Sequence, residues 1–376
     1  MNMNQQYRIN ENNRVSSLDV LRGFSMFWLI GGAAIIEELA RHDFIRGMGM
    51  AWLDDQMSHR GWIGLNFFDL VFPFFIFASG ATLPYSIARM KSKGISNHAI
   101  IFKSFGRALV LITIGIIYNE WTAHSFSNPR LCSVLGQIGV SYFISTSIFI
   151  LNRSRNRLLG CTIIILSLIA ILQVTLPGSS LNEQINPNNS INSLIDSLLP
   201  GRLYYDNFDP EGPLNWISAS SVCLLGAWTS SQILVGQKNN HRFRHTAKIL
   251  LIVGICFIAT GLLADPYYPI IKKLWTSSFC LLSGGISILM YVLLYSVIEI
   301  KNLRKPFYIF KMIGANSLLA YVAHKFFGYS QFTKAFAKHV SENFSLNSAF
   351  FEVLITTLVT LLILDFMYRK KLFIKA

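Results

Sequence analysis

Negative charge is scarce in this chain. Of its 376 residues 19 are Asp or Glu against 33 Lys or Arg, and charged residues of both signs make up only 14%. An ordinary soluble enzyme carries roughly a quarter charged residues, so that class is excluded. A hydrophobic content of 52% and a mean hydropathy of +0.44 exclude a disordered chain. Cysteine is sparse as well. Cys132, Cys161, Cys223, Cys256 and Cys280 are odd in number and lie inside apolar stretches without paired spacing, so neither a disulfide framework nor a zinc site is indicated. No Gly/Ser linker, low-complexity tract or repeat between halves is present. Many secondary transporters are built from repeated halves, so that absence weighs against a transporter without removing it.

Long apolar runs dominate instead. A helix needs about 20 apolar residues to cross the hydrocarbon core, and runs of that order occur at 18–40, 65–88, 104–118, 131–151, 158–176, 213–235, 249–264, 274–298, 307–327 and 350–368. The expected fold is an all-α polytopic bundle of about ten transmembrane helices, one domain over 1–376. No small-residue cleavage site follows the first run, so it reads as an uncleaved helix. Positive charge then sets the orientation. Segments 1–17, 89–103, 152–157, 236–248, 299–306 and 369–376 hold 20 Lys/Arg against two acids, whereas the intervening loops hold 9 against eleven. Positive residues mark the cytoplasmic side, which places both termini and the 1–17 tail there and the 177–212 loop outside. The formal charge of +14 is thus topology, and nucleic acid is not expected as a partner.

Ionisable groups in or near spans are costly and mark functional candidates. On the outer side these are His59, Arg60, Asp69, Asp209, Glu211, Lys272 and Lys273, with Asn316 and His324 in the outer half of the ninth run. Asp19, Arg22, Arg107 and Lys311 lie toward the inner face. The segment from Ser58 to Pro73 is the most informative, because His59 precedes Asp69 by ten residues with Gly61 and Gly64 between. A loop-borne imidazole, with a reference pKa of about 6.5, can take a proton from an amine or hydroxyl near neutrality while a carboxylate fixes its tautomer. A surface histidine and a helix-capping Asp fit the same spacing. Asp209 and Glu211 suit either a helix N-terminus or contact with a substrate hydroxyl or amine. Asn316 fits interhelical polar glue, and His324 an interhelical hydrogen bond, as well as substrate contact. Trp62 and Trp275 fit an interfacial belt or stacking on a sugar ring. Asp19 and Arg22 share a helical face; Arg22 alternatively suits the phosphates of a nucleotide-bearing donor, since a guanidinium binds two oxygens at once.

Several blocks carry a resemblance. The residues Ser17 to Phe24 (SLDVLRGF), His59 to Pro84, Arg130 to Tyr142 (RLCSVLGQIGVSY), Asp209 to Gly212 (DPEG), Lys272 to Thr276 (KKLWT) and Gly314 to His324 (GANSLLAYVAH) occur in collinear order. Together they resemble the bacterial branch of the heparan-α-glucosaminide N-acetyltransferase group of transmembrane acyltransferases. The resemblance implies acetyl-CoA as donor, an amino sugar as acceptor on the extracytoplasmic side, no metal, a homodimer in the lipid bilayer, and a bacterial inner-membrane location. It places the active-site histidine at His59; beside it the candidates are Asp69 as orienting carboxylate, Asn316 or Lys272 as hydrogen-bond donor, and Asp209, Glu211, Lys272, Trp275, Asn316 and His324 as substrate contacts. Animal members carry an asparagine near Ala33, a departure that bears on the substrate. Some bacterial members are described as N-acetylglucosamine-related transporters, so a sugar permease is the alternative, and a non-catalytic membrane assembly protein is the second. Sugar flux without an acyl donor, or binding of coenzyme A, separates them.

Overall fold

Long helices account for nearly all regular structure in the computed structural model, which describes residues 15–41, 47–123, 126–152, 154–175, 185–187, 189–236, 240–326 and 348–373. The helices are α1 (Ser16–Phe27), α2 (Ala33–Arg41), α3 (Trp52–Met57), α4 (Val71–Ala81), α5 (Leu83–Ser92), α6 (Asn97–Ala123), α7 (Val134–Leu151) and α8 (Arg155–Thr175). They continue with α9 (Ile191–Asp196), α10 (Pro213–Gly236), α11 (Asn240–Ala264), α12 (Ser277–Tyr295), α13 (Tyr308–Ala315), α14 (Ser317–Phe326) and α15 (Ser348–Arg369). Among the described residues no strand occurs; one isolated bridge pairs Gly64 with Ile271. Eight helical segments there are long and apolar enough to cross a membrane. The protein is an all-α polytopic membrane protein.

Two expected spans differ in a physically informative way. The run at 213–235 is the single 24-residue helix α10, but it falls outside the eight because of its hydroxyls. Its serines are buried, and all but Ser230 turn back on their own helix: Ser218 donates to Leu214 O at 3.2 Å, Ser221 to Ser218 O at 2.6 Å and Ser231 to Ala227 O at 2.8 Å. Across the packing interface, Ser145 of α7 donates to Ser220 O at 3.1 Å. The run at 307–327 breaks at Asn316, whose backbone (φ −125°, ψ 39°) ends α13 before α14 begins. The short run at 104–118 is the apolar middle of α6, and that at 249–264 the C-terminal part of α11.

The chain divides into two compact units. The first contains Trp62–Gly64 and Ile76–Leu293; the second contains Val15–Gly61, Leu65–Phe75 and the chain from Leu294 onward. Small residues set the close helix approaches within each. In the first unit a Cβ on Gly80 would lie 1.8 Å from Cys223 O, and one on Gly226 2.1 Å from Phe77 O. In the second, a Cβ on Gly23 would lie 1.6 Å from Phe310 O, and one on Gly314 1.8 Å from Asp19 O. Only glycine lets α1 and α13 touch backbone to backbone, as membrane helices with small interface residues do. The first span is kinked by a short π-helical stretch, Trp28–Gly32 between α1 and α2, where Gly31 adopts φ 151°.

Candidate functional site

The second unit holds the histidine. Asn66, extended at φ −104°, starts the 3₁₀ turn Phe67–Leu70, and Asp69 at its third position closes a reciprocal cap by accepting from Asn66 N at 3.0 Å. The same Asp69 Oδ2 accepts from Arg60 N at 3.2 Å, and Asp69 Oδ1 lies 2.9 Å from His59 Nδ1. Asp69 is fully buried while 52% of the His59 side chain is exposed. This is a fixed carboxylate holding an accessible ring. The Phe68 ring packs against the imidazole with centroids 4.7 Å apart. With Nδ1 occupied as a donor to Asp69, the other ring nitrogen is the basic one, which suits proton transfer to and from a substrate.

The first unit holds a cluster of opposite charges built from loops and helix ends. Arg130 donates through Nε to Asp209 Oδ2 and through Nη2 to Asp209 Oδ1, both at 2.6 Å, and through Nη2 to Glu211. Backbone donors complete Asp209: Tyr204 N at 3.1 Å on Oδ2 and Glu211 N at 3.0 Å on Oδ1. Glu120, also buried, accepts from Arg130 N at 2.8 Å and from Arg202 Nη2 at 3.0 Å. Asp196 accepts from Asp209 N at 2.8 Å. Burial works against the Arg130 charge, yet the hydrogen bond to Asp209 and the fields of Glu211 and Asp209 outweigh it and hold the guanidinium above its ordinary value. Burial pushes the Glu211 carboxyl up, against Arg130 and with Asp209, while Lys272 opposes the rise. Burial likewise raises Asp196 to about 7, opposed by the Asp209 backbone hydrogen bond and reinforced by the Asp209 charge. Aromatic rings face the same cluster: Tyr204 covers the Arg130 guanidinium at 4.8 Å, and Lys273 Nζ sits 4.8 Å above the Tyr205 ring.

Two curated proteins are similar to this chain, the heparan-α-glucosaminide N-acetyltransferases of Homo sapiens and Mus musculus. Each is 26% identical over an alignment that covers 96% of this chain and 60% of the relative. The chain is a distant relative of that group. It spans about 60% of the length of the curated relatives it matches. No family model matches it.

For a distant relative of these N-acetyltransferases, the remaining expected residues are distributed unevenly. Lys272 begins the 3₁₀ turn Lys272–Leu274 in the first unit and acts electrostatically on Glu211, so the structure joins Lys272, Asp209 and Glu211. Trp275 follows in the left-handed conformation (φ 45°) with 1% exposure, its ring edge-on to Phe279 at 5.4 Å. The ring is thus packed inside the first unit. Trp62 donates to Ile185 O at 3.1 Å and packs on Phe208 at 5.6 Å. In the second unit, Asn316 is 1% exposed and donates to Leu372 O at 2.9 Å, tying the helix break to the C-terminal segment. His324 lies on α14, with its side chain outside the described residues. Arg22 is half-buried on α1. Among the described residues no group of three or more His, Cys, Asp or Glu is placed to hold a metal ion.

Sequence reasoning missed Arg130, Glu120 and Asp196. Arg130 stands alone in its loop, Glu120 near the end of α6 and Asp196 at the end of α9, each a lone charge without pattern around it. Their signal is the imbalance of the outer loops: eleven acids with nine bases leave carboxylates that must find Arg once the loops are buried.

Proposed function

We propose that the protein is a membrane-embedded N-acyltransferase that moves an acetyl group from acetyl-CoA to the amine of an amino sugar, with His59 as general base. The carrying observation is the 2.9 Å pair between His59 Nδ1 and the fully buried Asp69. The relationship to N-acetyltransferases named for a glucosaminide acceptor supports the reaction class.

In this reading His59 accepts a proton from the acceptor's ammonium, and the freed amine lone pair attacks the thioester carbonyl. A C–N bond forms and the C–S bond breaks. The coenzyme leaves as a thiolate and takes up the proton carried by the imidazolium, while the second proton shed by the nitrogen as it becomes an amide is released to solvent, so protons and electrons balance. Asp69 supports the imidazolium as it forms and holds the ring in one tautomer. The proposed setting is a bacterial inner membrane with both termini cytoplasmic, the basic inner face meeting the polyanionic donor and the acceptor arriving from outside.

The test is purified protein in liposomes, given labelled acetyl-CoA and a panel of amino sugars. Acetylated product from the wild type and none from His59→Ala is the expected result. A wild type that forms no product with any amine, while passing sugar in the absence of donor, would overturn it. Coenzyme A binding, read as a thermal shift in detergent, should raise apparent stability as RT ln(1 + [L]/Kd).

A further inference from the structure

His59 sits on an exposed loop, and a loop residue has no helix to hold its backbone. The hydrogen bonds around it show what does. The Asn66 side chain, 5% exposed, donates through Nδ2 to Asp55 O at 2.7 Å and to Ser58 O at 3.2 Å. Asp55 lies in the last turn of α3, and Ser58 immediately precedes the histidine. On the other side of the histidine, Arg60 N donates to Asp69. The backbone on both flanks of His59 is therefore tied to one short turn, by Asn66 before it and by Asp69 after it. Asn66 and Asp69 in turn hold each other through the reciprocal cap. Gln56 adds a third tie, accepting from Phe67 N at 3.0 Å.

We infer that Asn66 is a positioning residue for proton transfer: by fixing the Ser58 carbonyl it holds His59 Nδ1 on Asp69 and so selects the ring tautomer. This rests on the proposed acetyl transfer for its effect on rate, but its structural content stands apart from it. An Asn side chain is suited to both tasks at once. Its oxygen caps the turn and its NH₂ group has two hydrogens for two carbonyls. Ser at this position would keep a capping oxygen and lose both donors, which separates the cap from the clamp.

The experiment compares wild type, Asn66→Ser and Asn66→Asp in nanodiscs, with ¹⁵N-labelled histidine. The His59 signal is identified by its loss in His59→Gln. The wild type is expected to show one neutral tautomer, protonated at Nδ1. Asn66→Ser is expected to show a mixture of tautomers and a kcat lower by about tenfold or more, with KM within about twofold and apparent Tm little changed. Asn66→Asp, which places a carboxylate against two carbonyls beside Asp69, should be at least as impaired. A single Nδ1–H tautomer retained in Asn66→Ser would overturn the inference, whatever happens to rate. So would a loss of activity that follows only a fall in Tm. If the wild type acetylates nothing, the proposed function fails, and the tautomer spectra still decide the role of Asn66.

Discussion

His59 and Asp69 are ten residues apart in sequence and 2.9 Å apart in space, and the shorter distance is made by the turn that Asp69 itself caps. A carboxylate that serves as a turn's cap and as a histidine's partner cannot move without losing both. The site's geometry is therefore stabilised by the same bonds that start the second span.

Asp69→Asn tests that double role. The amide keeps an oxygen for the Arg60 and Asn66 N–H groups but turns an NH₂ toward His59 Nδ1, which favours the wrong tautomer. We expect kcat to fall by about 100- to 10,000-fold with the apparent Tm within a few degrees of wild type. His59→Ala should fall at least as far. Steady-state acetyl transfer alongside thermal denaturation checks both.

Arg130→Ala leaves Asp209 fully buried without its counter-charge. Breaking one partner of a buried ion pair costs about 3–5 kcal/mol, so the variant should denature at a markedly lower temperature or fail to accumulate. Arg130→Lys should rescue little, because a single ammonium cannot reproduce the paired Nε and Nη2 bonds to the two Asp209 oxygens. Thermal unfolding in detergent distinguishes the variants.

Asp196 predicts a pH dependence of opposite sign to the usual carboxylate. Its folded pKa of about 7 lies above its ordinary value of 3.8, so between those values the folded chain binds the proton that the unfolded chain has lost. Stability from this group therefore falls as pH rises from about 4 through 7 and levels off above. Asp196→Asn should remove that slope and raise stability at pH 8 by about 1–2 kcal/mol. Apparent Tm measured from pH 5 to 8 gives the comparison; equal slopes for the two proteins would refute it.

Gly23→Ala and Gly314→Ala should each destabilise the second unit by about 1–3 kcal/mol, since either methyl meets main chain at under 2 Å. Together they should cost less than the sum, because both open the same α1–α13 crossing. Gly160→Ala is the control: its Cβ meets nothing within 4 Å, and alanine in a helix interior is neutral or stabilising.

The fold class was legible because lipid solvation imposes runs of a fixed length, and those runs are visible wherever a helix faces lipid. It was less legible where helices face protein. The break at Asn316 interrupts a run that hydropathy alone shows as continuous. At the site, the His59–Asp69 spacing suggested the pair, but nothing in the spacing separated it from a surface histidine beside a capping residue; the structure shows Asp69 acting as cap and partner together. Asp209 and Glu211 were visible as acids at a helix start. Their partner Arg130 was not, because it lies 79 residues from Asp209 along the chain and local pattern carries no information across that distance. The burial of Trp275 was not legible for a related reason: tryptophan near a span end suggests an interface, whereas the structure buries this one in a left-handed turn after Leu274.

The serine-rich face of α10 has a consequence for how the chain is made. A translocon sorts each segment by its affinity for lipid, and a helix with five serines among its 24 residues gains little from hydrocarbon alone. Its main chain finds partners on α7 instead, as Ser145 and Ser141 donate to Ser220 O and Trp216 O. Because α7 and α8 are synthesised first, they are in the membrane when α10 emerges and can retain it there. The order of helices along the chain is thus an order of assembly, and a fragment that begins at α10 would leave that helix without the partners that keep it in the bilayer.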